Sequence, residues 1–174
     1  MSRSLGRTIG DGLKLSVGYA EQLLQGVTPE LFGRVACPGG SVVHSNHPAF
    51  IYGHLALYPS RVVGFTGGEY PAAPDGFNEL FAKGAECVDD PDGSVYPQMD
   101  VIRDVFFTGY RAVQDAIDAA TDEVLSQSNS VGGIMAEKFP TTGSMCNFMC
   151  SGHLMIHLGQ MSAWRRMQGL GPAS

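Results

Sequence analysis

Met145-Cys146-Asn147-Phe148-Met149-Cys150-Ser151-Gly152-His153-Leu154-Met155-Ile156-His157-Leu158-Gly159-Gln160-Met161-Ser162-Ala163-Trp164 carries no formally charged side chain. It is long enough to cross a bilayer, but Asn147, Ser151, two histidines and Gln160 are costly in lipid, so it reads as a buried helix of a soluble protein. At about 100° per residue, Cys146, Cys150, His153, His157, Gln160 and Trp164 fall on one narrow face. Phe148, Met155 and Leu158 lie opposite, with Leu154 and Met161 on the flank. A helix apolar on every side is buried on every side. One face then lines a helical interior, and the other needs cover from a loop or a second subunit. A homodimer is the simpler expectation.

Three further long helices are expected around this one. Residues 8–25 carry Leu13, Val17, Ala20, Leu24 and Val27 at steps of four and three. Residues 48–65 begin with Asn46 or Ser45 as cap and Pro48 in the first turn, and Pro59 should kink or shift the segment. Residues 98–125 place Ile102, Val105, Phe106, Gly109, Val113, Ala116, Ala120 and Val124 on one stripe, with charge mostly opposite. The run quoted above extends to 144–168 and is stopped by Gly169-Leu170-Gly171-Pro172. The connection 66–97 is rich in Gly, Pro and acid. It should hold a short helix near 77–83, capped by Asp75 and stopped by Gly84, as a crossover, lid or insert. Strand signals are weak, confined to Val35-Ala36 and Ser41-Val42-Val43. The fold class is therefore all-α: one domain over 1–174, a four-helix bundle with an insert between its second and third helices.

With 174 residues, 44% hydrophobic and 16% charged, the chain can bury a core without staples. Its formal net charge of −6 and the scatter of its eleven Lys and Arg argue against a nucleic-acid partner. Met1 to Gly10 has neither an apolar core nor a cleavage pattern, so no signal peptide is expected. The four cysteines form no Cys-x-x-Cys pair, which suits reduced thiols in a cytoplasm. The run Asp89-Asp90-Pro91-Asp92-Gly93 lacks the spacing of a calcium loop and reads as a solvated turn.

His153 and His157 are four apart and project from the same helical face. His54 sits in a second apolar helix, within Ile51-Tyr52-Gly53-His54-Leu55-Ala56. Three imidazoles from two facing helices make a site that holds one metal ion and leaves positions open for water or substrate. The competing reading is an inert set of core or interface histidines. Three buried imidazoles without an ion would then need partners for several nitrogens, each costing about 1–3 kcal/mol if unsatisfied. His47, beside Pro48, and His44, in the loop before it, read as solvent-facing or close to substrate. Cys150, three residues before His153, leaves a Cys–His site geometrically open, although buried cysteine mostly behaves as a small hydrophobe. Gln160 shares the histidine face, and its expected role is to orient a bound water or substrate. No carboxylate neighbours any histidine in sequence. Glu69 and Glu137 are candidates for a base brought in by the fold.

The segment Asn46-His47-Pro48-Ala49-Phe50-Ile51-Tyr52-Gly53-His54-Leu55-Ala56, with His153-x-x-x-His157-x-Gly159-Gln160 about a hundred residues later, resembles the DinB/YfiT-like superfamily. Arg165 and the Gly-Pro ending fit the same pattern. The resemblance implies a four-helix bundle, often dimeric, whose His triad binds a divalent metal, commonly zinc or nickel. Characterised relatives include metal-dependent S-transferases using low-molecular-weight thiols, a thiol-dependent isomerase and hydrolase-like proteins. The insert at 66–97 and the two cysteines on the ligand face depart from the pattern. The expected function is thus that of a metalloenzyme acting on a small molecule, a thiol S-transferase ahead of a hydrolase. A non-catalytic module that binds a ligand or partner is the alternative from another class.

Overall fold

A computed structural model describes residues 4–173; Met1–Arg3, the start of the segment read for a leader, and Ser174 lie outside the described residues. All regular structure among the described residues is helical, with two isolated antiparallel bridges, Ala36–Val43 and Ser128–Thr141. The first bridge joins the two short stretches that carried the weak strand signal.

Helix α1 spans Leu5–Leu23 and is capped by the Ser4 hydroxyl, which accepts from Arg7 N. It buries Ile9, Leu13, Ala20 and Leu23. A short α2, Pro29–Phe32, follows. Helix α3, Pro48–Ala56, is buried along its whole length. Its cap is neither Asn46 nor Ser45. His47 caps it, with Nδ1 accepting from Phe50 N at 3.3 Å and Nε2–H donating to the Val88 carbonyl at 2.9 Å. His47 has no exposed surface, so it does not face solvent. An imidazole offers one lone pair and one N–H, and here both are used to tie a helix start to a distant loop.

Pro59 does more than kink the second helix. It ends α3 after Ala56 and opens a new helix, α4, Pro59–Phe65. The ring of Pro59 lies against Gly109, where a Cβ would come within 2.6 Å of Pro59 Cγ. Helix α6, Met99–Ala119, buries Ile102, Phe106, Gly109, Tyr110, Val113 and Ile117. Four of these were on the expected stripe; Val105, Ala116, Ala120 and Val124 are only half-buried, and Tyr110 and Ile117 replace them. The helix also stops short of 125, because Ala120 is extended (φ −67°, ψ 134°) and Thr121 caps a separate α7, Asp122–Leu125.

Between α4 and α6 the connection folds over α3. Its short helix α5, Phe77–Phe81, is capped by Gly76 at φ 82°, not by Asp75. The acidic run is an exposed turn except at Asp90, which is buried, and it also acts as a clip. Asp89 pairs with Arg34 at 2.9 and 3.1 Å and accepts from Val35 N. Buried Asp90 accepts from the backbone N–H groups of Ser94, Val95 and Tyr96 at 2.9, 3.1 and 3.1 Å.

After α8, Gly133–Lys138, the last long segment starts at a capping box between Thr141 and Ser144. It is built of α9, Thr142–Asn147, a π-helical turn, Phe148–His153, and α10, Leu154–Met167. Within the π-turn the Ser151 hydroxyl takes the Asn147 carbonyl at 2.6 Å, competing with the α-helical ladder. Helix α10 ends where Leu170 N bonds Arg165 O and Gly169 N bonds Arg166 O, with Gly169 at φ 77°.

Helix α1 packs on α6, the π-turn and α10, and α3 packs on both α6 and α10. The uncharged girth of the last helix is therefore covered mostly from within. Phe148 is covered by a stacked Phe139 at 4.5 Å, and Met155 and Ile156 stay exposed at 41% and 59%. No described helix is long and apolar enough to cross a membrane.

Candidate metal centre

Helix α3 delivers His54, the end of the π-turn delivers His153, and the first turn of α10 delivers His157. The ring centroids lie 5.6 Å (His54–His153), 4.7 Å (His54–His157) and 4.9 Å (His153–His157) apart. Each ring offers one nitrogen to a common centre, all within 4.8 Å of one another, and this three-His cluster can hold a metal ion.

The state of each ring follows from its surroundings. His54 Nδ1 lies 2.7 Å from the Phe81 carbonyl of α5, so Nδ1 must carry the proton and Nε2 the lone pair. A backbone carbonyl holding the outer nitrogen of a ligand ring fixes its tautomer and raises its basicity towards a metal. The Nδ1 atoms of His153 and His157 are buried without a hydrogen-bond partner. Burial lowers the pKa of all three rings. His153 is pushed down to about 4 by burial and then by His157 and His54. His54 falls through burial, against its bond to Phe81. His157 falls through burial and the proximity of His54, against the Gln160 side chain beside it. Ligation needs neutral imidazoles, and these rings are neutral at ordinary pH. Orphaned nitrogens, neutral rings and an all-nitrogen donor set fit a borderline divalent cation.

Gln160 lies one turn beyond His157, and its Oε1 accepts from Asn46 Nδ2 at 3.1 Å. That bond joins α10 to the chain just before α3 and gives Gln160 a fixed place beside His157. His44 is exposed, His47 serves as the cap of α3, and neither joins the cluster. Cys146 and Cys150 are buried, and among the described residues neither belongs to a cluster of three or more potential ligands. Burial pushes the Cys146 thiol up to about 11 and the Cys150 thiol higher still, so both behave as small apolar groups. The residue added by the π-turn breaks the even 100° count that had aligned both cysteines with the histidines. Glu69 and Glu137 are exposed, and no carboxylate belongs to the cluster.

Sequence reasoning assigned Tyr58 no role at the site. Its hydroxyl is 3.4 Å from His54 Nε2, and its ring meets His153 edge-on at 4.6 Å. Tyr58 follows His54 by four residues, the same spacing that singled out the His153–His157 pair, and that signal could have found it. The Phe81 carbonyl left no trace, since a backbone acceptor has no sequence signature.

In comparisons with known proteins, no family model matches the chain, and no match is found among curated proteins or solved structures.

Proposed function

We propose that the chain is a metal-dependent enzyme of the DinB/YfiT-like kind, a four-helix bundle that transfers a small thiol to an electrophilic substrate. The observation that carries this reading is the convergence of three neutral imidazoles, two of them with an orphaned buried nitrogen. The ion would be zinc or nickel, held by His54, His153 and His157. When bound it supplies a full positive charge that favours the ionised form of a thiol or water. Phe81 holds His54 in the ligating tautomer, and Asn46 holds Gln160 where its amide can orient the incoming group. Phe50 lies parallel to the His54 ring at 6.5 Å, an apolar neighbour on that side of the cluster.

A transferase ranks ahead of a hydrolase because the cluster contains no carboxylate to serve as base. A thiol that arrives already ionised needs none during attack, whereas activating water usually uses one. Four unpaired cysteines agree with a reducing, cytoplasmic setting. Exposed Leu15, Met155 and Ile156 offer an apolar surface for a second copy, and light scattering at micromolar concentration should report a dimer.

Metal analysis tests the centre. His54→Ala, His153→Ala and His157→Ala should each lose most bound metal, and His44→Ala should keep it. Full occupancy in the double variant H153A/H157A overturns the assignment. Loaded protein should then promote attack of a small thiol on an epoxide or activated halide, and chelation should abolish it. Ester or amide cleavage without thiol would favour hydrolysis, and silence on both classes would favour a binding module.

A further inference from the structure

Tyr58 lies at the break between α3 and α4, immediately before Pro59. Its ring is held edge-on to His54 at 5.2 Å and to His153 at 4.6 Å, and the Arg61 guanidinium sits over it at 5.5 Å. The hydroxyl is therefore aimed at the histidine cluster by contacts on several sides. Because His54 Nδ1 donates to Phe81, Nε2 has only its lone pair to offer, and the long 3.4 Å bond must run from the Tyr58 O–H to that lone pair. This is the same lone pair that a metal ion would use.

We propose that Tyr58 is a positioning residue for the exogenous ligand of the centre, a small anion of the thiolate class. The inference rests on reading the triad as a metal site. Once an ion takes the His54 lone pair, the phenol loses its acceptor in a half-buried place where a hydroxyl needs one. An anion arriving on the side of the cluster that Tyr58 faces would then meet the same O–H, and donation to its acceptor atom would replace the bond to His54. The phenol ring stays where His153 and Arg61 hold it. Specificity follows, since a ligand with an acceptor atom satisfies the hydroxyl and an apolar one does not.

Cobalt(II) makes this visible through its d–d bands. Wild type and Tyr58→Phe are loaded with cobalt(II), then titrated with azide and with 2-mercaptoethanol while the visible spectrum is followed. Both chains should bind one cobalt per chain, the variant at least as tightly because a competing hydrogen bond is gone. The variant should bind azide and the thiol about tenfold more weakly, equivalent to about 1.4 kcal/mol. Phenylalanine keeps the ring contacts, and a melting curve on the cobalt-loaded variant verifies that it folds. Tyr58→Trp, which restores a donor on an aromatic ring, should recover part of the loss. Unchanged ligand affinity in a cobalt-loaded Tyr58→Phe overturns the proposal alone. Failure of both chains to take up cobalt overturns the metal reading and this proposal with it.

Discussion

Gly53 should be the most sensitive position near the centre that is not itself a ligand. A Cβ at this residue would lie 2.5 Å from Phe81 Cε1 and 2.6 Å from Cδ1 and Cζ. Carbon atoms settle at about 3.5–4.0 Å, so Gly53→Ala requires the Phe81 ring to retreat by roughly 1 Å. It has nowhere free to go. Phe81 has no exposed surface and is hemmed in by Phe77, Tyr96 and Phe50, with ring centroids 5.2, 5.6 and 6.2 Å away. Overpacking of this kind costs about 1–3 kcal/mol. The same residue holds His54 Nδ1 through its carbonyl at 2.7 Å, and because the ring is hemmed in, the α5 backbone must move with it; a backbone shift of roughly 1 Å takes that bond past useful length. Losing an outer partner of a ligand histidine typically weakens metal binding about 10–100-fold. Urea denaturation of the metal-free chain measures the first effect, and competition against a chelating dye measures the second. Gly18→Ala is the control, because nothing lies within 4 Å of its Cβ position. It should be neutral or stabilise α1 by about 0.5–1 kcal/mol. If Gly53→Ala loses stability but keeps full metal affinity, the Phe81 carbonyl does not tune the centre. If it loses neither, the packing argument is wrong as well.

In metal-free protein, burial holds the three histidines below their ordinary value of 6.5, His153 at about 4. The unfolded chain then binds protons more readily than the folded one, so stability is complete above pH 6.5 and is lost as pH falls towards about 4. Urea midpoints at a series of pH values should decline across that window, and His153→Ala should flatten the decline; an equal slope in the variant contradicts the assignment. Asp90→Ala strands three backbone donors that the carboxylate now satisfies, and should lower unfolding free energy by about 2–3 kcal/mol, with a shift of the urea midpoint as the measure. Arg165→Met removes a buried guanidinium that donates to the carbonyls of Leu23, Gln25 and Leu170. A loss of about 2–3 kcal/mol is expected, and a melting temperature unchanged from wild type would count against it.

What local rules govern was readable in the chain. The stepping of Leu13, Ala20 and Leu24, the proline at 59 and the Gly-Leu-Gly terminator each act within a few residues, and they located α1, the α3–α4 break and the end of α10. The three histidines were legible because helical spacing alone makes His153 and His157 neighbours and leaves His54 as the apolar outlier. Two of the misses involve partners far apart in sequence. His47 caps α3 only because Val88 is there to take its second nitrogen, and Asp90 is buried only because the chain turns back on it. The π-turn is the subtlest case. Ser151 and Gly152 permit it, but a hydroxyl bonding four residues back is compatible with an ordinary α-helix, so sequence alone left the even helical count in place.

That single wide turn makes the last segment intolerant of arithmetic. A π-turn is an α-helix with one residue more than its ladder requires, so deleting any residue of 148–152 would leave a perfectly regular helix. The ladder would gain, yet everything upstream would swing by about 100° relative to His153 and His157. Thr141 and Ser144 would carry their capping box away from its seat, and Leu125, which touches Gly143 through its carbonyl at 2.9 Å from the Cβ position, would lose its place. Substitutions in this stretch can be absorbed one side chain at a time. A change in its length cannot, because residue number there sets the angular phase between the anchoring half of the segment and the half that carries the histidines.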